Sequence, residues 1–225
     1  MSIYPPVRDE MIRLLSVPRL STYTRACDGD VKRALELYQW NLEVSGTLFS
    51  SIHYFEVALR NTLDTQLTKT FASADTAWYD QASIPLNDGG KKAVRRAKGE
   101  VARAGHEVTP GRVVAELSLG FWWSLLADGY NRSLWEPALK DGFRNARRAT
   151  LHEQIDHIRR LRNRIAHHEP LIHHDLPAEY TRILQTAERV TSRLAWWIDA
   201  TSSLSGILDR RPPMTARSEG TAGVG

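Results

Sequence analysis

From Asp30 to Phe71 the chain reads DVKRALELYQWNLEVSGTLFSSIHYFEVALRNTLDTQLTKTF, a stretch without proline and with one glycine, Gly46. Leu48, Ile52, Phe55, Leu59 and Leu63 recur in it at spacings of three and four, the pattern that gathers apolar side chains on one face of a helix. A long early helix with a buried face is therefore expected, and Gly46 is the point where it would kink or divide.

Later segments read the same way. Thr109 and Pro110 have the form of an N-cap followed by proline in the first helical position, and VVAELSLGFWWSLL continues from them as a buried helix. Thr150 and Glu153 have capping-box spacing at the head of an apolar series, Leu151, Ile155, Ile158, Leu161 and Ile165, so a helix is expected from Thr150. Pro170 disfavours helical geometry at Glu169 and should end that helix near there. A last helix begins around Pro177 and carries Tyr180, Leu184, Ala187, Leu194, Trp197 and Ile198. Strand-like alternation is scarce, so the expected class is all-α without significant β-sheet.

The 225 residues, 42% of them hydrophobic and seven of them tryptophan, are enough to fill one core. One domain over 1–208 is expected, followed by a disordered tail over 209–225, where DRRPPMTARSEGTAGVG is rich in proline, glycine and small polar residues. Cys27 is the single cysteine, which excludes an internal disulfide and any cysteine-based zinc site and suits a reducing cytosol. The N-terminus has neither a basic start nor a following apolar stretch, and no apolar run approaches membrane-spanning length, so a soluble cytoplasmic protein is expected. A net charge of +4 is compatible with an anionic partner but is weak support for one.

Chemistry concentrates in LRNRIAHHEP at 161–170. On a wheel of about 100° per residue, the five apolar positions of 151–165 fill one sector of roughly 120°, and Arg162 falls inside it. Arg159, Arg160 and Arg164 point to the flank or the far side. A guanidinium aimed at the core is costly unless it is paired or its face borders a cleft or a partner subunit. Arg162 therefore either holds a carboxylate, for instance Glu56, or meets phosphate with its forked donors. Asn163 and His167 share a face four residues apart, so the amide could orient the imidazole. His167 lies roughly 140° around from Arg162, and convergence requires the helix to end at the histidines or two subunits to meet. His168 falls beside Leu161 at the edge of the apolar stripe and is a second candidate. Imidazole exchanges protons near neutral pH, and arginine stabilises developing negative charge. Together they suit cleavage of RNA by its own 2′-hydroxyl, without a metal or cofactor; DNA lacks that hydroxyl.

At these residues the sequence resembles the Abi-like (abortive infection) proteins, a branch of the HEPN superfamily. RNRIAH at 162–167 matches the HEPN Arg-x4-His motif, and the continuation HEPLI at 168–172 is similar to the Abi-like branch. FEVALRNTL, with Glu56, Arg60 and Asn61, resembles a segment of an early helix in these proteins, and LGFWWSLL, with Gly120, Phe121 and Trp122, resembles their central aromatic stretch. The similarity spans roughly residues 35–200. It implies a HEPN-type helical bundle, a homodimer that brings two motifs into one composite cleft, and metal-independent endoribonuclease activity on single-stranded RNA. It also implies a role in phage defence or as a toxin; an antitoxin protein is one candidate partner, whose existence the sequence leaves open. Arg162 and His167 are then catalytic, with Asn163 as polar support. Some HEPN toxins carry a tyrosine two residues after the motif histidine, which a partner enzyme modifies; Glu169 stands there, so that control is not expected. Some HEPN domains only bind, and such a module is the main alternative.

Other features have competing readings. Glu56 and Arg60 form an i,i+4 pair in the favourable order, either as a surface ion pair or as flanks of the site. His167, His168, His173 and His174 make HHEPLIHH, but the spacing matches no standard zinc pattern, and no metal site is expected. KKAVRRAKGEVARAGH at 91–106 puts Lys91, Lys92, Arg95, Arg96, Lys98 and Arg103 against one glutamate, either as a solvated helix face or as a track for an RNA backbone. Trp122 and Trp123 lie in an uncharged run and are expected in the core.

Overall fold

The computed structural model describes residues 5–215. They form α1 (Pro5–Leu15), α2 (Val17–Ala26), α3 (Val31–Phe71), α4 (Asp88–Arg103), α5 (Pro110–Glu116), α6 (Leu119–Ser124), α7 (Arg148–Ala166), α8 (Leu176–Val190), α9 (Ser192–Ala200) and α10 (Leu204–Leu208). Short 3-10 and π turns fill 128–142. The fold is all-α: among the described residues, extended pairing is limited to one isolated bridge between Ser73 and Thr76.

α3 runs for 41 residues through Gly46 without a break. A helical glycine costs only about 1 kcal/mol relative to alanine, and the fully buried Val44 and Leu48 on either side outweigh that penalty. Leu37, Val44, Leu48, Ile52, Phe55, Leu59, Leu63 and Leu67 are all buried along its inner face.

The chain divides into two compact units. Of the described residues, 5–49, 168–174 and 202–215 make the first, and 50–167 and 175–201 the second. In the first unit, Tyr23 packs edge-on against Tyr38 at 5.2 Å, and the Trp40 indole donates to the Ile207 carbonyl at 2.8 Å. Buried Asn41 accepts the Leu171 amide at 2.7 Å, so the 168–174 segment is pinned there by a hydrogen bond. The disordered tail was expected from residue 209. Residues 209–215 make specific contacts: Arg211 donates to the Ile172 carbonyl and lies 5.0 Å over the Trp40 ring, and the Thr215 amide donates to Ala26. Residues 216–225 lie outside the described residues.

In the second unit, Trp78, Phe121 and Trp122 cluster beside α3, where Trp78 also donates to Asp64 at 2.8 Å. Two boundaries differ from expectation. The run VVAELSLGFWWSLL is two helices, because Leu117 is extended and Ser118 caps a new helix by accepting from the Phe121 amide. The helix after it starts at Arg148 and not at Thr150. Arg148 is anchored by Asn131, Asp128 and the Leu126 carbonyl, which places Thr150 inside the first turn, where a capping box cannot form. α8 begins at Leu176, and Asp175 caps it. It stops at Thr191, whose extended backbone separates it from α9, so the expected single last helix is also two.

Removing the Asn41 amide strands a buried backbone N–H. Asn41→Ala is expected to lower the unfolding free energy by about 1–3 kcal/mol, read as a lower midpoint in urea denaturation at unchanged slope.

Candidate functional site

α7 owes its position to Leu151, Ile155, Ile158, Leu161 and Ile165, all buried on one face. Arg162 borders this face. Its Nε stands 3.7 Å from Glu56 Oε2 on α3, and the two side chains keep 36% and 23% exposure. A pair this open contributes at most about 1 kcal/mol, so its main effect is to orient the guanidinium. Arg60, one turn along α3, donates to the Ala115 carbonyl on α5 at 3.3 Å and to Asn61 at 3.4 Å.

The helix ends at Ala166, three residues before the position Pro170 suggested. His167 is its C-cap, with its amide bonded to the Asn163 carbonyl at 2.9 Å and its side chain exposed. The Asn163 side-chain amide makes no hydrogen bond to the His167 ring. His168 turns the chain with φ 56°, a left-handed geometry that glycine usually supplies after a helix. It belongs to the first unit, where Arg19 donates to its carbonyl at 2.8 Å. Arg162, Asn163, His167, Glu56 and Arg60 all belong to the second. Among the described residues no group of three or more His, Cys, Asp or Glu side chains is gathered to hold a metal.

A cluster that periodicity did not reveal lies along the same helix. His152 stacks on Trp123 of α6 at 4.7 Å, and Arg159 lies 4.6 Å over the same indole. The Trp123 N–H donates to the His152 carbonyl at 3.0 Å. Asp156 pairs with Arg159 at 2.6 Å and Arg160 at 2.5 Å. Burial works to raise the Asp156 carboxyl, but the bonds and charges of Arg159 and Arg160 hold it below its ordinary value. Burial, and then Arg148, push the His152 imidazole down against the opposing pull of Asp156. Trp122 is fully buried as expected, whereas Trp123 is half-buried and serves as the floor of this cluster. The signal that could have found it is the i, i+4, i+7 spacing of His152, Asp156 and Arg159.

On α4, Val94, Ala97 and Val101 face inward, and Lys91, Lys92, Arg95 and Arg96 are exposed. Lys98 pairs with Asp80 at 2.7 Å, and Glu100 takes Arg103 at 2.5 Å and Arg96 at 3.9 Å. Lys91, Lys92 and Arg95 carry no acidic partner among the described residues. Lys92 and Arg96 also line a cavity of about 420 Å³ with Gly89, Glu116 and Ser118.

The family described as Abi-like protein matches residues 15–173, most of the chain. The chain belongs to the Abi-like protein family. No curated protein and no solved structure matches it. The Abi-like match takes in the Glu56 and Arg60 segment, the aromatic helix α6, all of α7 and HHEPLI. Membership suggests a function related to abortive infection. No helix among the described residues is long and apolar enough to cross a membrane.

His152 generates a pH dependence. Folding shifts its imidazole below the ordinary value of 6.5, so unfolding takes up a proton as pH falls past that value. Stability is therefore expected to be fully present above 6.5 and to fall as pH drops through that value toward the lower folded one. His152→Gln should remove this component, seen as a flatter plot of urea midpoint against pH.

Proposed function

We propose that this Abi-like protein is a metal-independent endoribonuclease of the HEPN type, which cuts single-stranded RNA in the cytoplasm as a toxin or abortive-infection effector against phage. The observation that carries the reading is the RNRIAH string at the end of α7, with Arg162 held on the helix beside Glu56 and His167 exposed directly after the last helical residue. The 2′-hydroxyl of one nucleotide attacks its own 3′-phosphodiester. His167 takes the hydroxyl proton or delivers one to the departing 5′-oxygen, and Arg162 meets the charge gathering on the non-bridging oxygens. The products are a 2′,3′-cyclic phosphate and a 5′-hydroxyl.

Glu56 orients Arg162 until phosphate replaces it, Asn163 is polar support, Arg60 flanks the site, and His168 is the neighbouring proton carrier to be tested. His167 follows the last helical residue and does not continue the helix of Arg162; the homodimer that the family resemblance implies, in which the motifs of two subunits share one cleft, is part of the reading. Lys91, Lys92, Arg95 and Arg96 track the RNA backbone, and an antitoxin protein restrains the activity. The second reading is a non-catalytic module of the same fold that binds RNA, a nucleotide or an antitoxin. The observation that favours it is the Arg162–Glu56 ion pair, which gives the arginine a structural task.

Wild type is expected to cut a labelled single-stranded RNA in excess chelator, to leave a cyclic phosphate and to spare matched DNA. Arg162→Ala and His167→Ala should each lower the rate by roughly 10²–10⁴-fold, and His168→Ala, run beside them, shows which histidine moves the proton. No cutting by wild type would leave the binding module standing. Replacing the four α4 cations with alanine should weaken RNA binding and flatten its salt dependence by about 0.7 in log–log slope per lost phosphate contact, measured by titration at several salt concentrations.

A further inference from the structure

Three large aromatic side chains of the second unit are left open. Trp196 is 67% exposed, Trp197 49% and Tyr54 41%. The break at Thr191 interrupts the periodicity of α8, so the two indoles of α9 face outward while Ile198 turns in. Tyr54 of α3 meets Trp197 edge-to-face at 6.5 Å and 83°. That arrangement braces both rings and leaves each with at least one face the other does not cover. α9 is itself fixed to α8, where the Tyr180 hydroxyl donates to Asp199 at 3.2 Å.

Arg193, also exposed, precedes Trp196 and Trp197 by three and four residues, the spacing that puts it on the same surface of the helix as both indoles. It carries no acidic partner among the described residues. The face therefore combines flat π-surfaces with a cation that has no acidic partner among the described residues; the acid of α9, Asp199, lies three residues after Trp196 and is engaged by the Tyr180 hydroxyl. A self-matching contact with a second copy would turn Arg193 toward its own equivalent, with Asp199 of the same helix already engaged by Tyr180. An unpaired nucleic-acid strand offers what the face lacks, bases to lie on the rings and phosphate for the guanidinium.

We propose that Trp196, Trp197 and Arg193, braced by Tyr54, form a stacking platform for the unpaired bases of a single-stranded RNA. α9 lies beyond the matched residues 15–173, so both indoles and Arg193 fall outside the span shared with the family description, while the bracing Tyr54 falls within it. The choice of RNA over DNA rests on the ribonuclease reading; the stacking itself does not.

The test titrates a short labelled single-stranded RNA, and a duplex of the same sequence, into protein carrying Arg162→Ala so that no cleavage intervenes. Adding Trp196→Ala or Trp197→Ala is expected to weaken single-strand binding roughly 5- to 100-fold, while Trp→Phe at either position retains most of the affinity and duplex binding is unchanged. Arg193→Ala should flatten the salt dependence. Single-strand affinity untouched by the tryptophan changes, an equal loss on duplex, or no RNA binding at all would each overturn the platform. Dissociation of a dimer by the same substitutions, followed by light scattering, would overturn it too and assign the face to a second copy. Tryptophan-dependent binding by a wild-type chain that never cleaves would uphold the platform and end the ribonuclease reading, so the two fail separately.

Discussion

Burying one face of a 41-residue helix obliges the chain to bring other groups against it at turn after turn. α3 meets that demand with directional bonds as well as apolar contact. In the first unit Trp40 and Asn41 reach Ile207 and Leu171; in the second, Glu56, Arg60 and Asp64 reach Arg162, Ala115 and Trp78. Apolar burial tolerates some rotation of a helix about its axis, whereas these bonds do not. Within the second unit, the attachments of Arg60 and Asp64 fix the same stretch of α3 that presents Glu56 to Arg162.

Charge on α7 is managed locally. Arg148 places a cation at the helix N-terminus, against the sense of the macrodipole, and Asp128 at 2.6 Å offsets it. Arg159 and Arg160 share Asp156 on their own helix. Arg162 is different, because its carboxylate comes from α3 and stands at 3.7 Å, beyond hydrogen-bond distance. Trp123 contributes rigidity nearby by carrying His152 and Arg159 on one indole.

Much of the fold was legible because periodicity reports burial directly. Leu48 through Leu63 and Leu151 through Ile165 are buried where their spacing put them. Boundaries were less legible. Leu117-Ser118 and Thr191 break apolar runs through backbone geometry and a side-chain cap, and neither interrupts the hydrophobic pattern strongly enough to be read. Arg148 starts α7 early through partners at 126–131, which no local rule supplies. In the candidate site, Arg162 stood out because a cation on an apolar sector demands an explanation, and Glu56 was already a named partner for it. The Trp123 floor was not foreseen, because stacking depends on which helix packs against His152, and sequence spacing within one helix does not carry that information. Trp197 was placed on the inner side of one long helix and lies outside because that helix is two.

The hydrogen bond from Trp40 to Ile207 and that from Leu171 to Asn41 join residues 167 and 130 positions apart. Trp40 and Asn41 therefore wait for partners that are made much later along the chain. The second unit draws all its residues from 50–201, so it has its full complement before α10 is made. Until then Trp40 keeps an indole N–H without its carbonyl. The order of completion runs against the order of synthesis, and the N-terminal unit is the part of a nascent or truncated chain that chaperones and proteases would meet open.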